Sequence, residues 1–191
     1  MTVRVEPVSL RVAATPAAPA LLLRQWTDGD VESLIEAYRD PVQRRFSQFR
    51  VTDVDDARRW LELQWDGWES GKRFSFAVVD DSGAGAGRLV GNVALKAPDL
   101  ASGSAGVGYW TAAAARGQGV ASRALEVLTR WAFETFTADG LRCLELLHQV
   151  DNVASCRVAE KAGYRFDRVV PAHPPFPLDG HRHVRSAADR S

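Results

Sequence analysis

Apolar residues in this chain follow two spacings, one typical of helices and one typical of strands. Within residues 53–70 they recur every three or four positions, at Ala57, Trp60, Leu61, Trp65 and Trp68. This spacing is typical of a helix that buries one face. Asp53 and Gly71 are suitable residues for its start and its end. The pattern therefore predicts a helix that runs through about residue 70.

The same two spacings predict the other elements of the chain. Helices are expected over residues 31–39, 120–136 and 152–162, and Pro41 is expected to end the first of them. Strands are expected over residues 8–12, 21–24, 73–80, 88–96, 107–111, 142–148 and 164–170, with one more in the tail. The glycine-rich residues 82–87 are expected to form a hairpin loop. This order of elements predicts one α/β domain with a mixed sheet.

Composition limits the class of protein and its partners. The chain has 191 residues, 46% of them hydrophobic, which is enough for one domain with a substantial core. Lys plus Arg and Asp plus Glu both number 24, so charge gives no argument for a nucleic acid or an anionic membrane as partner. No apolar run approaches the length of a membrane span. We expect a soluble cytoplasmic protein, and a homodimer is compatible with the sequence.

Cysteines and histidines give no metal signature in the sequence. Cys143 and Cys156 are far apart, so they indicate neither a disulfide framework nor a zinc cluster. His181 and His183 form a His-x-His pair with no third ligand close to them in the sequence. We therefore expect no metal and two reduced, packed cysteines.

Residues 116–121 (Arg-Gly-Gln-Gly-Val-Ala) lie between a predicted strand and a predicted helix. The free N–H groups of a first helical turn, approached through glycines, are suited to a pyrophosphate. A P-loop is excluded, because no Lys-Ser or Lys-Thr pair follows a glycine here. A dinucleotide fingerprint is incomplete, because Ser122 occupies the position of its third glycine.

A third pattern, [Arg/Gln]-x-x-Gly-x-[Gly/Ala], is met by Arg116, Gly119 and Ala121. Downstream, residues 152–164 contain Asn-x-x-Ser and Glu-Lys-x-Gly-aromatic segments. Together these motifs resemble the Gcn5-related N-acetyltransferases. Ser155, with the Gly-Tyr-Trp of residues 108–110, is similar to the subgroup that includes the ribosomal-protein N-terminal (alanine) acetyltransferases. The resemblance covers roughly residues 20 to 170.

The resemblance implies a fold and a division of the chain. The expected fold is a single domain with a mixed, mostly antiparallel central sheet flanked by helices, and with a splayed strand pair at the acyl-CoA site. Residues 1–19 are expected to form an N-terminal extension, residues 20–170 the acyl-CoA N-acyltransferase domain, and residues 171–191 a C-terminal strand and tail.

It also implies acetyl-CoA as cosubstrate, without a metal, and a set of residues that bind it. A freed main-chain N–H near Trp110 and Thr111 would polarise the thioester, although core packing alone would also explain Trp110. Asn152 would lie beside the pantetheine arm, or would only cap its helix. The pyrophosphate would be held by the main chain of Arg116, Gly117, Gln118, Gly119, Val120 and Ala121.

The sequence indicates the catalytic groups less directly than the residues that bind acetyl-CoA. Ala159 occupies the position at which many relatives carry a Tyr that protonates the leaving thiolate, so Ser155 is the candidate for that role; the alternative is a hydroxyl that serves only the helix end. Gly106 occupies the position of the usual Glu that relays a proton from the amine. Glu145 and His148 remain as candidate bases, of which His148 has the better ordinary pKa, about 6.5. A structural, hydrogen-bonded role is the alternative for both.

The expected reaction is transfer of an acetyl group to a primary amine by direct attack in a ternary complex. A protein N-terminal α-amine is the first choice of acceptor, because it needs less help with deprotonation than a lysine. A small-molecule amine, a succinyl or other acyl donor, and a non-catalytic CoA-binding sensor are the alternatives. The candidates for acceptor binding precede residue 75: Arg44, Arg45, Phe46, Trp65 and Trp68.

Overall fold

Eight strands and five α-helices are formed by residues 5–83, 87–174 and 177–189, the part of the chain that this computed structural model describes. The strands are β1 (Leu10–Val12), β2 (Leu21–Arg24), β3 (Arg73–Asp80), β4 (Arg88–Asp99), β5 (Ser104–Thr111), β6 (Cys143–Gln149), β7 (Arg165–Val170) and β8 (Gly180–Ser186). The helices are α1 (Val31–Arg39), α2 (Pro41–Phe46), α3 (Val54–Glu69), α4 (Val120–Phe136) and α5 (Val153–Lys161).

All eight strands form one sheet in the order β1-β2-β3-β4-β5-β6-β8-β7. Only β5 and β6 pair in parallel, so the mixed, mostly antiparallel sheet expected from the sequence is confirmed. β1 lies before residue 20 and β8 after residue 170, and both belong to the same sheet as the central strands. None of the described helices has the length and apolar character needed to cross a bilayer.

Several elements differ from those expected from the sequence; β4, for example, ends at Asp99 and not at residue 96. Pro41 ends α1 as expected, but it is also the first residue of α2, a helix that the pattern did not predict. Asp40 caps α2 by accepting hydrogen bonds from the N–H groups of Val42 and Gln43; Pro suits such a first position because it has no N–H to satisfy. β5 begins three residues earlier than expected, at Ser104. The predicted hairpin loop lies in part outside the described residues.

Two apolar clusters cover the two faces of the sheet. On one face, α4 buries Leu125 and Leu128 against Phe74 and Phe76 of β3. On the other face, α1 and α3 bury a second cluster around Trp26 and Trp60, whose rings meet edge to face at 4.8 Å. The helices thus cover both faces of β3 and β4.

A gap opens in the sheet where β5 and β6 diverge. The two strands pair only from Ser104 to Val107 on β5, whereas β5 continues to Thr111 along β4. The last four residues of β5 therefore have no strand on their β6 side. This is the splayed strand pair that the resemblance implies, and it connects the two faces of the sheet.

Candidate acyl-CoA and acceptor site

The turn between β5 and α4 presents a row of unused main-chain donors. The N–H groups of residues 117–122 donate no hydrogen bond to any described residue. Gly117 (φ 78°) and Gly119 (φ 73°) take the left-handed conformation that turns these groups outward. Gly119 is the residue that caps α4, a helix of 17 residues, so the partial positive charge of that helix adds to the donors. The turn has the geometry and electrostatics of an anion site.

The side chains of this turn are held by the protein itself. The Arg116 guanidinium pairs with Asp40, the cap of α2, and holds the pKa of that carboxyl below its usual value. The Gln118 amide donates to the carbonyl of Ala114 at 3.0 Å. The free donors of the turn are therefore the main-chain N–H groups of residues 117–122, whereas the sequence analysis proposed the main chain of residues 116–121.

Main-chain groups of β5 also face the gap beside β6. The oxygen of Gly103 accepts hydrogen bonds from the start of β6, and the N–H of Ala112 donates to β4. Main-chain N–H and C=O groups of successive residues in a strand point to opposite sides. The N–H groups of Tyr109 and Thr111 therefore point into the gap, and that of Trp110 points toward β4. The sequence indicated a free N–H near Trp110 and Thr111. The N–H group of Thr111 points into the gap, as does that of Tyr109, whereas that of Trp110 does not.

A cleft of about 270 Å³ opens at the gap. Five of the candidate residues from the sequence line it: Phe46, Trp110, His148, Asn152 and Ser155. Thr111 and the 116–121 turn lie beyond this lining, at the end of β5. The cleft and the anion site are therefore joined along β5, which is the arrangement that a long acyl-CoA molecule needs.

A hydroxyl pair lies in the cleft. The Tyr109 hydroxyl donates to Ser155 Oγ at 2.8 Å, which connects β5 with α5. Burial raises the pKa of Tyr109 to about 12, so the phenol stays protonated at neutral pH. Ser155, which is buried, can therefore accept from Tyr109 and still donate its own proton into the cleft. In the sequence, Tyr109 is only part of the Gly-Tyr-Trp motif, which indicates no role for its hydroxyl.

Asn152 caps α5, on which Ser155 lies. Its Oδ1 accepts a hydrogen bond from the N–H of Ser155 at 3.3 Å. The cap fixes the first turn of α5 and so the position of the Ser155 hydroxyl.

The two candidate bases have different surroundings. Glu145 pairs with the Arg182 guanidinium at 2.6 and 3.0 Å, and this hydrogen bonding lowers the pKa of Glu145. His148 Nδ1 donates to the carbonyl of Gln149 at 2.8 Å, which leaves Nε2 with its lone pair, 3.5 Å from Cys156 Sγ. Burial lowers the pKa of His148, so the ring is neutral at pH 7. Glu145 is therefore a structural ion pair, and His148 remains a neutral group beside the cleft.

Two cations face the cleft without a carboxylate. Arg73 and Lys96 are opposite each other on β3 and β4. Burial, with repulsion from Arg73, lowers the pKa of Lys96 to about 8. Burial also lowers the pKa of Arg73, whose Nε donates to Gln64 Oε1 at 2.8 Å. None of the described residues that line the cleft is Asp or Glu. The cleft thus has a positive potential that the sequence did not reveal.

The aromatic candidates divide between cleft and core. The Trp110 ring packs near Trp26 and Tyr38, with ring centroids 6.1 Å from each, and its buried Nε1 has no partner among the described residues. Phe46 lines the cleft, whereas Trp68 is buried and donates to the Ser75 carbonyl.

The other acceptor candidates lie outside the cleft lining. Arg45 pairs with Asp151 at 2.5 Å, and the Trp65 indole donates to the Trp26 carbonyl at 2.9 Å. Arg44 is an exposed residue of α2. On the acceptor side, the structure therefore retains Phe46 of the residues proposed from the sequence.

A main-chain anion site joined to a cleft at a parted pair of parallel strands defines an acyl-CoA-dependent N-acyltransferase. Comparison with family models places residues 20–165 in the acetyltransferase (GNAT) domain family, which covers about three quarters of the chain. The chain belongs to the GNAT family and is an acyl-CoA-dependent N-acetyltransferase. A search of curated proteins found no match.

Several solved acetyltransferases have a similar fold at low sequence identity. An acetyltransferase of Salmonella typhimurium that modifies the N-terminal serine of ribosomal protein L7/L12 is 18% identical, with a TM-score of 0.74 over 90% of this chain and 97% of that one. RimJ of Mycobacterium smegmatis, in complex with CoA-disulfide, is 19% identical, with a TM-score of 0.75 over 96% and 88%. The microcin C7 self-immunity acetyltransferase MccE, in complex with acetyl-CoA and AMP, is 17% identical, with a TM-score of 0.76 over 90% and 97%.

Proposed function

We propose that this enzyme transfers the acetyl group of acetyl-CoA to the α-amine at the N-terminus of a protein. The observation that carries the choice of acceptor is the charge of the cleft. Arg73 and Lys96 face it, and no described lining residue is Asp or Glu. A polyamine or an extended lysine side chain would bring a further cation into this positive region. An α-amine, with a pKa of about 7.7–8.0, enters in its neutral form far more readily.

In the proposed reaction, the pyrophosphate of acetyl-CoA binds the free N–H groups of residues 117–122. The N–H group of Thr111, which points into the gap, hydrogen-bonds to the thioester oxygen. The amine nitrogen attacks the carbonyl carbon, the C–S bond breaks, and the thiolate leaves beside Ser155. Positioning and charge stabilisation supply most of the rate enhancement, since no covalent intermediate on the protein is needed.

The Ser155–Tyr109 pair stabilises the leaving thiolate by hydrogen bonding. A thiol has a pKa of about 8.5, several units below the value of about 12 for Tyr109, so net transfer of the phenol proton to the sulfur is strongly uphill. A hydrogen bond from Ser155 Oγ to the sulfur, supported by Tyr109, requires no such transfer. This assigns to Ser155 a hydrogen-bonding role at the site where the sequence suggested a proton donor.

The amine must also lose a proton, and two groups at the cleft can accept it. Lys96, with a pKa of about 8, is neutral in roughly a tenth of the molecules at pH 7 and is our first choice. His148 is the second, as the sequence analysis proposed. A cytoplasmic location belongs to the same proposal, because the two cysteines of the chain are free, as a reducing compartment would keep them.

Kinetics with two matched peptide sets test the acceptor. One set carries a free α-amine and no lysine, and the other an acetylated N-terminus and one lysine. At pH 7, about a tenth to a fifth of the α-amines but only about one lysine in 2,500 is neutral. We expect a higher kcat/KM for the free α-amines, with a gap that narrows from about pH 7 to 9.

Other results of the same assay would assign a different function. Equal or higher kcat/KM on the blocked lysine peptides at pH 7 would exclude the α-amine proposal. Inactivity on every peptide, with thiol release from a small amine, would indicate a small-molecule acceptor. Arg73 and Lys96 would also accept the carboxylate of a succinyl group, so a kcat/KM for succinyl-CoA above that for acetyl-CoA would reassign the donor.

A further inference from the structure

Three histidines and one cysteine converge on the face of the sheet that α5 covers. They are His148 of β6, Cys156 of α5, and His181 and His183 of β8. Each offers one ligand atom, and these four atoms all lie within 4.8 Å of one another. The residues are separated by up to 35 positions in the sequence, so only the fold brings them together.

The register of the sheet sets this arrangement. β6 and β8 pair antiparallel with His148 opposite His181, so both rings lie on the same face. His183 is two residues farther along β8 and shares that face. Cys156 lies on α5, one residue after Ser155, and its Sγ contacts the rings of His148 and His181.

Two of the six distances between the four ligand atoms match those of a tetrahedral metal site. Cys156 Sγ lies 3.5 Å from His148 Nε2 and 3.3 Å from His181 Nδ1. Four ligands at usual Zn–N and Zn–S distances are separated from one another by roughly 3.3–3.7 Å. Two of the separations therefore need almost no change, and the widest needs an adjustment of about 1 Å.

His183 provides an independent observation. It is 2% exposed, and neither ring nitrogen makes a hydrogen bond of normal geometry to any described residue. The main chain of Tyr164 lies near enough to act as a weak hydrogen-bond partner that raises the pKa of His183, although burial lowers this pKa more strongly. A buried imidazole without a proper hydrogen bond is costly, and a metal bound at one nitrogen would remove much of that cost.

His148 makes the additional hydrogen bond that metal-binding histidines usually make. Its Nδ1–H donates to the Gln149 carbonyl at 2.8 Å, which fixes the tautomer that leaves Nε2 free to bind a metal. Histidines that bind metals commonly donate their other N–H to a carbonyl in this way.

We propose that His148, Cys156, His181 and His183 bind one Zn²⁺ ion. Three imidazoles and one thiolate suit a borderline-soft divalent ion, and the group that the described residues form contains no carboxylate to favour Mg²⁺ or Ca²⁺. Four protein ligands leave no open position, so the ion is structural and links α5 to β6 and β8. It thereby holds the helix that carries Ser155. An occupied site uses the lone pair of His148, which leaves Lys96 as the proton acceptor.

Metal titration of tag-free protein tests the site directly. We expect about one Zn²⁺ per chain after dialysis, and about one Co²⁺ per chain with the visible bands of a tetrahedral ion and a thiolate charge-transfer band. Cys156→Ser removes the charge-transfer band. Cys156→Ser and His181→Gln each weaken Zn²⁺ binding by roughly 100-fold or more, beyond the 10–100-fold usual for outer-shell changes.

The chain contains matched controls for both ligand types. Cys143→Ser removes the other cysteine and His173→Gln the remaining histidine, and both should bind Zn²⁺ and Co²⁺ as the wild type does. Circular dichroism checks that each variant is folded. Less than a tenth of an equivalent of bound Co²⁺ in the wild type, or a charge-transfer band that persists in Cys156→Ser, would overturn the proposal. Failure of the acetyl-transfer assay would not, because binding is measured without substrate.

Discussion

The hydrogen bond between Tyr109 and Ser155 joins two residues that are 46 positions apart, at the point where the thiolate is proposed to leave. Its donor and acceptor are set by the environment. Burial keeps the phenol protonated, and the Asn152 cap fixes the serine. The residue pair is thus prepared before substrate binds, which is the condition under which a hydrogen bond contributes most to catalysis.

Replacement of Ser155 by Ala should lower kcat by roughly 10- to 150-fold, the range that corresponds to one hydrogen bond to a charged group. The KM for acetyl-CoA should change much less, because the hydrogen bond forms as charge develops on the sulfur. Steady-state kinetics provide the measurement. Tyr109→Phe should have a smaller effect, and the double variant should lose less than the product of the two single losses. A kcat within about threefold of the wild type would mean that the Ser155 hydroxyl serves only the end of α5.

Lys96 is expected to make stability depend on pH. Its pKa is lowered from 10.5 to about 8, so the folded protein binds fewer protons than the unfolded chain between these two values. The free energy of unfolding should therefore rise with pH across this window. At pH 7, Lys96→Met should stabilise the protein by up to roughly 3 kcal/mol, and the gain should vanish near pH 10.5.

Urea unfolding of the wild type and of Lys96→Met at several pH values tests this. The exposed Lys72, on the turn before β3, gives the control variant Lys72→Met, which makes the same substitution at a solvent-exposed lysine. An equal free energy of unfolding for Lys96→Met and wild type at pH 7 and at pH 10 would contradict the burial argument.

Among the elements, the turn before α4 depends most directly on local sequence. Gly117 and Gly119 are both left-handed, and the helix start follows at once. Both features follow from neighbouring residues, which is why the turn could be proposed as an anion site from residues 116–121 together with the motif at residues 152–164. Lys96 and the histidine cluster could not be predicted, because they depend on the register of strands that are distant in the sequence.

Replacement of Gly119 by Val should weaken acetyl-CoA binding by roughly 10- to 150-fold for each charge-assisted hydrogen bond lost. The branched side chain would obstruct the approach of the phosphates. It would also strain the backbone, because a side chain at this φ costs roughly 1–2 kcal/mol. Calorimetric titration of the folded variant with acetyl-CoA measures the loss of affinity.

Gly163 provides a control for the backbone strain. It has φ 72°, against 73° at Gly119, and it follows α5, away from the turn. An added Cβ there makes only ordinary contacts, with the Arg185 side chain at 3.5 Å. Gly163→Val should therefore lower stability by a similar amount while retaining affinity for acetyl-CoA. Equal loss of affinity in both variants would indicate that strain, and not phosphate contact, is responsible.

At the scale of the whole molecule, the sequence predicted the class of sheet but not the place of its last strand. The order of strands and helices was sufficient to indicate a mixed α/β sheet. The tail was expected to contain a strand, and nothing in its sequence indicated that β8 would lie between β6 and β7. Pairing partners depend on the complementarity of strand edges and faces, which local spacing does not encode.

The place of β8 also determines when this half of the protein can fold during synthesis. β6 and β7 leave the ribosome before β8, but they do not pair with each other, and each requires β8 as its neighbour. While the last strand is still inside the exit tunnel, the nascent chain carries two unsatisfied strand edges, which are prone to pair with other chains. The sheet from β1 to β6 can form in order of synthesis. The β8–β7 edge of the sheet is completed only after residue 186 has left the tunnel.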